Sequence, residues 1–147
     1  MSMTSAAAPL AVLARTTDPR TMLRRFLAAD AAVTGANGLA YLLASGPLGR
    51  FLGVDAGLLL GLGAFLSVYA AGVALLATRE RPAALPVRAV IEANLAWSVL
   101  SLVALVLWLT PSTPGAVWTL LQAVTVAGFA AVQHLALRAV GGGADQE

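Results

Sequence analysis

The chain has 147 residues, of which 59% are hydrophobic and only 11% are charged. Soluble domains carry roughly 25% charged residues, so a soluble enzyme of this composition would lack the polar surface to cover its core. The abundance of apolar residues equally excludes intrinsic disorder. The chain has no cysteine and one histidine, His134, which excludes disulfide frameworks and metal sites built on cysteine or several histidines. We therefore expect neither a cofactor nor a metal ion.

Four apolar stretches lie between the prolines and the charged residues. Each has about 20 residues, the length that crosses a hydrocarbon core of roughly 30 Å. They cover residues 26–45, 56–77, 89–109 and 117–137, and none contains a proline. The stretches lack an alternation of period two, so we predict helices. Because short connections make neighbouring helices antiparallel, the predicted fold class is all-α, an up-down-up-down four-helix transmembrane bundle in a polytopic membrane protein.

The arginines predict how the chain is oriented and divided. Eight of the nine lie before the first span, between the second and third spans, or at the end of the fourth, and only Arg50 lies on the other side. By the positive-inside rule both termini are predicted to be cytoplasmic, with Trp108 and Trp118 in an outer aromatic belt. We expect residues 1–20 to form a cytoplasmic tail, residues 21–140 the transmembrane domain, and residues 141–147, with three consecutive glycines, a flexible tail.

Small residues spaced four apart recur in the first two spans. Such patterns let helix backbones approach closely in lipid, where association gains little from the hydrophobic effect. The patterns are Ala31-x-x-x-Gly35, Gly57-x-x-x-Gly61 and Gly63-x-x-x-Ser67. From sequence they fit equally an interface within the bundle and one between copies of the chain.

Two acids, Asp30 and Glu92, lie within the predicted spans. Charges inside a membrane are costly, and intramembrane acids are therefore functional candidates. Both are predicted to lie about one turn from the cytoplasmic end of their spans, which also allows structural roles. Glu92 has Arg88 at the spacing of an ion pair within a helix. Asp30 would then have Arg24, Arg25 or solvent as its partner.

Polar side chains form a stripe on three of the spans. The first span carries Asp30, Thr34, Asn37, Gly38, Tyr41 and Ser45, the third Asn94, Trp97, Ser98 and Ser101, and the fourth Trp118, Gln122, Thr125, Phe129 and Gln133. The second span contributes mainly Ser67 and Tyr69. Lipid cannot satisfy these groups, so the stripes are predicted to converge inside the bundle. Glu92 is about 160° from Asn94 around the helix and is predicted to face elsewhere.

Three interpretations of this polar interior stay open. It is a set of interhelical hydrogen bonds that fixes register, a small cavity for a lipid headgroup or an amphipathic molecule, or a proton-coupled transport path through Asp30. A layer of His134 with the two acids near the cytoplasmic side would relay protons, although a single histidine at a helix end is also typical of an interfacial residue. The candidate ligand-binding or proton-relay residues are Asp30, Asn37, Tyr41, Glu92, Asn94, Trp97, Gln122, Gln133 and His134.

The segment from Asp30 to Tyr41, DAAVTGANGLAY, and the segment NLAW from Asn94 to Trp97 are distinctive. With the four-span layout, they resemble a group of small, uncharacterised integral membrane proteins of bacteria that is common in actinobacteria. The resemblance covers roughly residues 23–109. It implies a four-helix fold in the bacterial plasma (inner) membrane and supplies no activity.

The sequence contains no nucleophile elbow, phosphate-binding loop or zinc-protease motif. The leading hypothesis is therefore a non-enzymatic membrane protein that binds a lipid, a small hydrophobic ligand or a membrane partner through the polar bundle interior. A small proton-coupled transporter using Asp30 and a lipid-modifying membrane enzyme are the alternatives. Membrane lipids and a second copy of the chain are the expected partners. Nucleic acid is not, because the arginines are placed as topology signals.

Overall fold

The computed structural model describes residues 18–144, which form five α-helices and no strand. The helices are α1 (Pro19–Leu43), α2 (Ser45–Leu52), α3 (Ala56–Thr78), α4 (Ala84–Leu107) and α5 (Thr113–Ala144). Helices α1, α3, α4 and α5 are each long and apolar enough to cross a membrane. The predicted all-α bundle of four spanning helices is confirmed, and the chain is a multi-pass membrane protein.

Three of the spanning helices begin earlier than predicted, because each has a proline in its first turn. Helix α1 begins at Pro19, α4 contains Pro86 and α5 contains Pro114. Proline is compatible with the first turn of a helix, where the N–H that it lacks would have no partner within the helix. Prolines that were interpreted as boundaries are therefore helix starts.

The described residues include only part of the two predicted tails. Helix α5 continues to Ala144, so the helix includes the first residues of the glycine-rich segment that was expected to be flexible. Residues 1–17, which make up most of the predicted amino-terminal tail, lie outside the described residues, as do residues 145–147.

Helix α2 is a short helix that was not predicted, in the connection between the first two spans. It ends at Leu52, and the next residue, Gly53, adopts a left-handed φ of 67° that favours glycine. The backbone N–H of Ser112 donates to the Leu52 carbonyl at 3.1 Å, and the Ser112 hydroxyl donates to the Phe51 carbonyl at 2.7 Å. The connection between α4 and α5 is thereby tied to α2. We call this side of the bundle the α2 end.

The opposite side is the terminal end, where α1 starts and α5 finishes. A hydrophobic cluster with residues from all four spans closes this end of the bundle. The most buried residues of the cluster include Leu23, Leu27, Val73, Val87 and Ile91. At the same end, the Arg24 guanidinium donates to the carbonyl of Ala77 at 3.1 Å. Tight apolar packing therefore seals the bundle at the terminal end.

The spanning helices pack as two close pairs, α1 with α3 and α4 with α5. The pairs meet chiefly along α1 and α5, whereas α3 and α4 make few contacts with each other. A cleft between the pairs therefore remains on the side of α3 and α4.

Small residues bring α1 and α3 together. A Cβ atom added to Gly63 would lie 2.8 Å from the Gly38 carbonyl oxygen, and one added to Gly38 would lie 2.8 Å from the Ser67 hydroxyl. A Cβ atom at Gly35 would lie 3.4 Å from the Ala70 side chain. Two of the three predicted small-residue patterns are therefore used within the bundle. Gly61, from the remaining pattern, is exposed, and none of the described neighbours lies within 4 Å of such an atom.

Candidate functional site

Asp30 lies at the centre of a buried polar cluster. Its Oδ2 accepts hydrogen bonds from the Asn94 and Gln133 side-chain amides, both at 2.8 Å, and its Oδ1 accepts from the Thr34 hydroxyl at 3.0 Å. Asp30 and Gln133 are completely buried, and Asn94 is 4% exposed. The cluster joins α1, α4 and α5, as the convergence of their polar stripes predicts.

Tyr69 on α3 adds the fourth spanning helix. Its hydroxyl lies 3.1 Å from Asn94 Oδ1 and 3.3 Å from the Val90 carbonyl, so it donates to α4. With its oxygen towards Tyr69, Asn94 turns its NH2 group towards Asp30 and towards Gln133 Oε1, which is 3.1 Å away. The Asn94 and Gln133 NH2 groups and the Thr34 hydroxyl are therefore directed towards the carboxylate, and Tyr69 fixes the orientation of Asn94. We refer to Asp30, Thr34, Tyr69, Asn94 and Gln133 as the Asp30 cluster.

Asp30 lies about three turns into α1, because this helix starts at Pro19. The partners expected for Asp30 are wrong. Asp30 has no solvent exposure, Arg24 donates to a carbonyl on α3, and Arg25 is exposed. Neutral amide and hydroxyl donors satisfy the carboxylate instead, which a buried charge requires.

Glu92 and His134 do not belong to the cluster. Both side chains are exposed on the outside of the bundle, and Glu92 faces away from the buried Asn94, as its angle around the helix predicts. The predicted layer of His134 with the two acids is therefore absent from the described part of the chain, since only Asp30 faces the interior.

A cavity of about 660 Å³ lies between the two helix pairs, next to the Asp30 cluster. All four spanning helices line it, mainly with apolar and aromatic side chains. Three residues, Thr34, Tyr69 and Asn94, belong both to its wall and to the Asp30 cluster, so the cluster forms one end of the cavity. We call this cavity the central cleft.

Aromatic side chains cross the gap between α3 and α4. The Phe65 ring stacks on Trp97 of α4, with centroids 6.2 Å apart and planes 13° apart, and also on Tyr69, at 6.1 Å and 21°. Phe65 is 55% exposed, which places it at the mouth of the cleft. The side of the cleft where the helices pack least is thus bordered by aromatic rings.

Three polar side chains in the wall of the cleft keep unused hydrogen-bonding groups. Gln122 accepts from the Trp97 indole N–H at 3.2 Å, while its own NH2 group has no partner among the described residues. The same is true of the Asn37 amide and the Thr125 hydroxyl, within residues 18–144. Asn37 comes from α1 and the other two from α5.

A smaller cavity of about 240 Å³ lies towards the α2 end. It shares Trp97, Trp118 and Gln122 with the central cleft. Trp118 donates its indole N–H to the Tyr41 hydroxyl at 2.7 Å. The predicted candidates Tyr41, Trp97 and Gln122 therefore lie together at the border of the two cavities.

Sequence reasoning did not identify Tyr69, Thr34 and Phe65 as site residues. Tyr69 had a signal, because it is one of the few polar residues of the second span. Thr34 lies one turn after Asp30 on the same stripe. Phe65 gave none, since its position depends on how the two helix pairs meet. Ser67, the other polar residue of the second span, has a buried hydroxyl with no hydrogen-bond partner within residues 18–144.

Comparison with known proteins found no matching protein family, no related curated protein and no similar solved structure. The resemblance to small bacterial membrane proteins and the location in the bacterial plasma membrane therefore stay predictions. Within residues 18–144, no three acidic or histidine side chains come together as metal ligands. Function is inferred from the geometry of the central cleft and the Asp30 cluster.

Proposed function

We propose that this membrane protein binds a small hydrophobic or lipid ligand in the central cleft. The observation that supports this proposal is the size of the cleft. Its volume of about 660 Å³ falls within the roughly 300–1,000 Å³ that is typical of small-molecule binding sites. Such sites are lined mostly by apolar and aromatic side chains, with a few polar groups that orient the ligand. In this cleft the apolar and aromatic lining includes Phe65, Leu66 and Trp97, and the polar groups include Asn37 and Gln122.

The position of the cleft favours a ligand that comes from the membrane. Its open side lies between α3 and α4, two helices that both have the length and composition of membrane spans. In a bilayer this side of the bundle faces lipid, so a hydrophobic molecule reaches the cleft without passing through water. Water would be a poor occupant, because most of the wall offers no hydrogen bonds.

The Asp30 cluster supports binding by holding the cleft in shape. The hydrogen bonds of the cluster connect all four spanning helices at one end of the cleft. A site fixed in advance loses less conformational entropy when the ligand binds. In this proposal the cluster is a structural support, and the ligand contacts Asn94 and Tyr69 at its edge.

We expect a bulky side chain in the cleft to displace the ligand. Ala96 lines the cleft on α4, and its replacement by phenylalanine fills part of that volume. Purified Ala96→Phe is expected to retain less than about a tenth of the lipid that the original protein retains, since occupied volume excludes the ligand. Native mass spectrometry after delipidation and re-exposure to lipid extract measures this occupancy.

The matched control is Ala71→Phe, which places the same side chain on an exposed position of α3 that does not line the cleft. Its lipid occupancy is expected to equal that of the original protein. If both variants retain the same lipid with the same stoichiometry, the bound lipid lies on the outside of the bundle and the proposal fails.

A proton-coupled transporter is the second candidate, favoured by the environment of Asp30. The carboxylate is completely buried, its hydrogen-bond partners are all neutral, and it is one hydrogen bond from cleft residues. Acids in such positions are typical of proton relays. In this case, liposomes containing the protein should accumulate a lipophilic cation when a pH gradient is applied. Asp30→Asn, checked for its thermal unfolding, should abolish that accumulation, and equal uptake by the variant would exclude Asp30 from the mechanism.

A further inference from the structure

The wall of the central cleft is uncharged. None of the described residues that line it is acidic or basic, although they come from all four spanning helices. The nearest buried charge, Asp30, is not part of the wall and is completely enclosed by its donors. A charged group of a ligand inside the cleft would therefore find no counter-charge.

The cleft nevertheless offers hydrogen bonds. The free amide groups of Asn37 and Gln122 and the Thr125 hydroxyl lie on the walls formed by α1 and α5. Amides and hydroxyls both donate and accept, and their natural partners in an apolar site are a hydroxyl or a carbonyl. Among the described residues these groups have no hydrogen-bond partner, so a polar ligand atom bonds to them without breaking an existing contact.

We propose that the ligand is a neutral lipid, a molecule with a hydrocarbon chain and an uncharged hydroxyl or carbonyl head. This inference rests on the proposed function and specifies its ligand class. The head bonds to Asn37, Gln122 and Thr125, while the chain lies against the aromatic side chains at the mouth. Burying a charge without a partner is far more costly than burying a hydrogen-bonded neutral group, so charged lipids are rejected.

Asp30 does not turn the cleft into a cation site. Its carboxylate already accepts three hydrogen bonds, from Thr34, Asn94 and Gln133, and has no exposed surface. An ammonium group would reach it only by breaking bonds that hold three helices together. Because Asp30 nevertheless lies next to the cleft, binding of a cationic lipid is the main alternative to the neutral-lipid inference. An ammonium probe tests this alternative.

The experiment compares three probes that differ only in the head group. They are a dibrominated octadecanol, the matching octadecanoate at a pH where it is ionised, and the matching octadecylammonium. Bromine quenches tryptophan fluorescence at short range, and Trp97 and Trp118 both line the cleft. The third tryptophan, Trp108, is 78% exposed at the end of α4 and is replaced by phenylalanine in every sample.

Quenching is measured in uncharged detergent micelles as a function of probe concentration, with Ala96→Phe giving the background from probe outside the cleft. We expect the alcohol to quench with a half-saturating concentration at least about tenfold below those of the two charged probes. Excess unbrominated octadecanol should reverse the effect, and a dibrominated diacylglycerol tests whether a two-chain neutral lipid binds as well.

Recognition by the polar wall is tested with the double substitution Asn37→Leu and Thr125→Val, which keeps side-chain size. It is expected to weaken alcohol quenching about tenfold, since hydrogen bonds to the head are lost. Leu39→Ala, at an exposed position of α1 outside the cleft, is the control and should leave quenching unchanged.

The outcomes separate this inference from the proposed function. Saturable quenching by all three probes with equal affinity would leave a ligand site in place and overturn the neutral-lipid inference. Tighter binding of the ammonium probe would overturn it in favour of a cation site. If no probe quenches beyond the Ala96→Phe background, the proposed function itself fails.

Discussion

Asp30→Leu is expected to lower the free energy of unfolding by about 2 to 5 kcal/mol. The substitution leaves the Asn94 and Gln133 amides and the Thr34 hydroxyl without their acceptor in the bundle interior. Three hydrogen bonds at about 0.6 kcal/mol each, the average between membrane helices, give the lower value, and three at about 1.5 kcal/mol each, the low end for bonds to charged groups, give the upper one. Reversible unfolding in mixed micelles with increasing sodium dodecyl sulfate measures the change.

Two further variants make the Asp30 result specific. Glu92→Leu removes the other intramembrane acid, which is exposed, and should change stability by less than about 0.5 kcal/mol. Combining Asp30→Leu with Asn94→Leu and Gln133→Leu removes the unpaired amides together with the acid, and should recover part of the loss. A single Asp30→Leu variant as stable as the original protein would contradict a supporting role for the cluster.

Gly63→Leu is expected to cost more than about 3 kcal/mol, because the contact between α1 and α3 leaves no space for a side chain. A Cβ atom at Gly63 would lie 2.8 Å from the Gly38 carbonyl oxygen and 2.9 Å from the Leu42 amide nitrogen. Both are backbone atoms of α1, so the helices themselves would have to separate. The same unfolding measurement in mixed micelles detects the loss.

Gly61→Leu is the matched control, two residues away on the same helix. Nothing lies within 4 Å of a Cβ atom at Gly61, so its substitution should change stability by less than about 0.5 kcal/mol. Equal losses for the two glycines would show that close packing at Gly63 does not hold the pair together. A loss confined to Gly61→Leu would place an interface between copies of the chain on the outer face of α3.

The sequence predicts the four spans because length and hydropathy alone decide which segments cross a membrane. The starts of the spans are harder to predict from the sequence, because proline occurs both in connections between helices and in the first turn of a helix. Pro19 and Pro114 are of the second kind. The predicted start of the first span therefore placed Asp30 about one turn into its helix, whereas it lies about three turns in. Helix α2 was missed because eight residues with Gly46 and Pro47 give a weak local signal, and contacts with Ser112 complete it.

The polar interior was predictable in part. The helical angle between Glu92 and Asn94 correctly separates an outward from an inward side chain. Which inward residues meet depends on helix rotation and depth, and neither follows from one helix alone. The bonds of Tyr69 to α4 and of Trp118 to Tyr41 are of this kind. The central cleft could not be predicted from the sequence either, because it arises where α3 and α4 pack less closely than the other neighbouring helices.

The order of the polar partners along the chain has a consequence for biogenesis. Thr34 is synthesised almost together with Asp30, but the amide of Gln133 follows 103 residues after the acid. The first two spans contain everything that their close packing through Gly38 and Gly63 requires, whereas the amide donors of Asp30 lie on the two later spans. We therefore expect a chain that stops before α5 to hold Asp30 in an apolar environment without the Gln133 amide, so that the energetic penalty of this acid falls on incomplete copies.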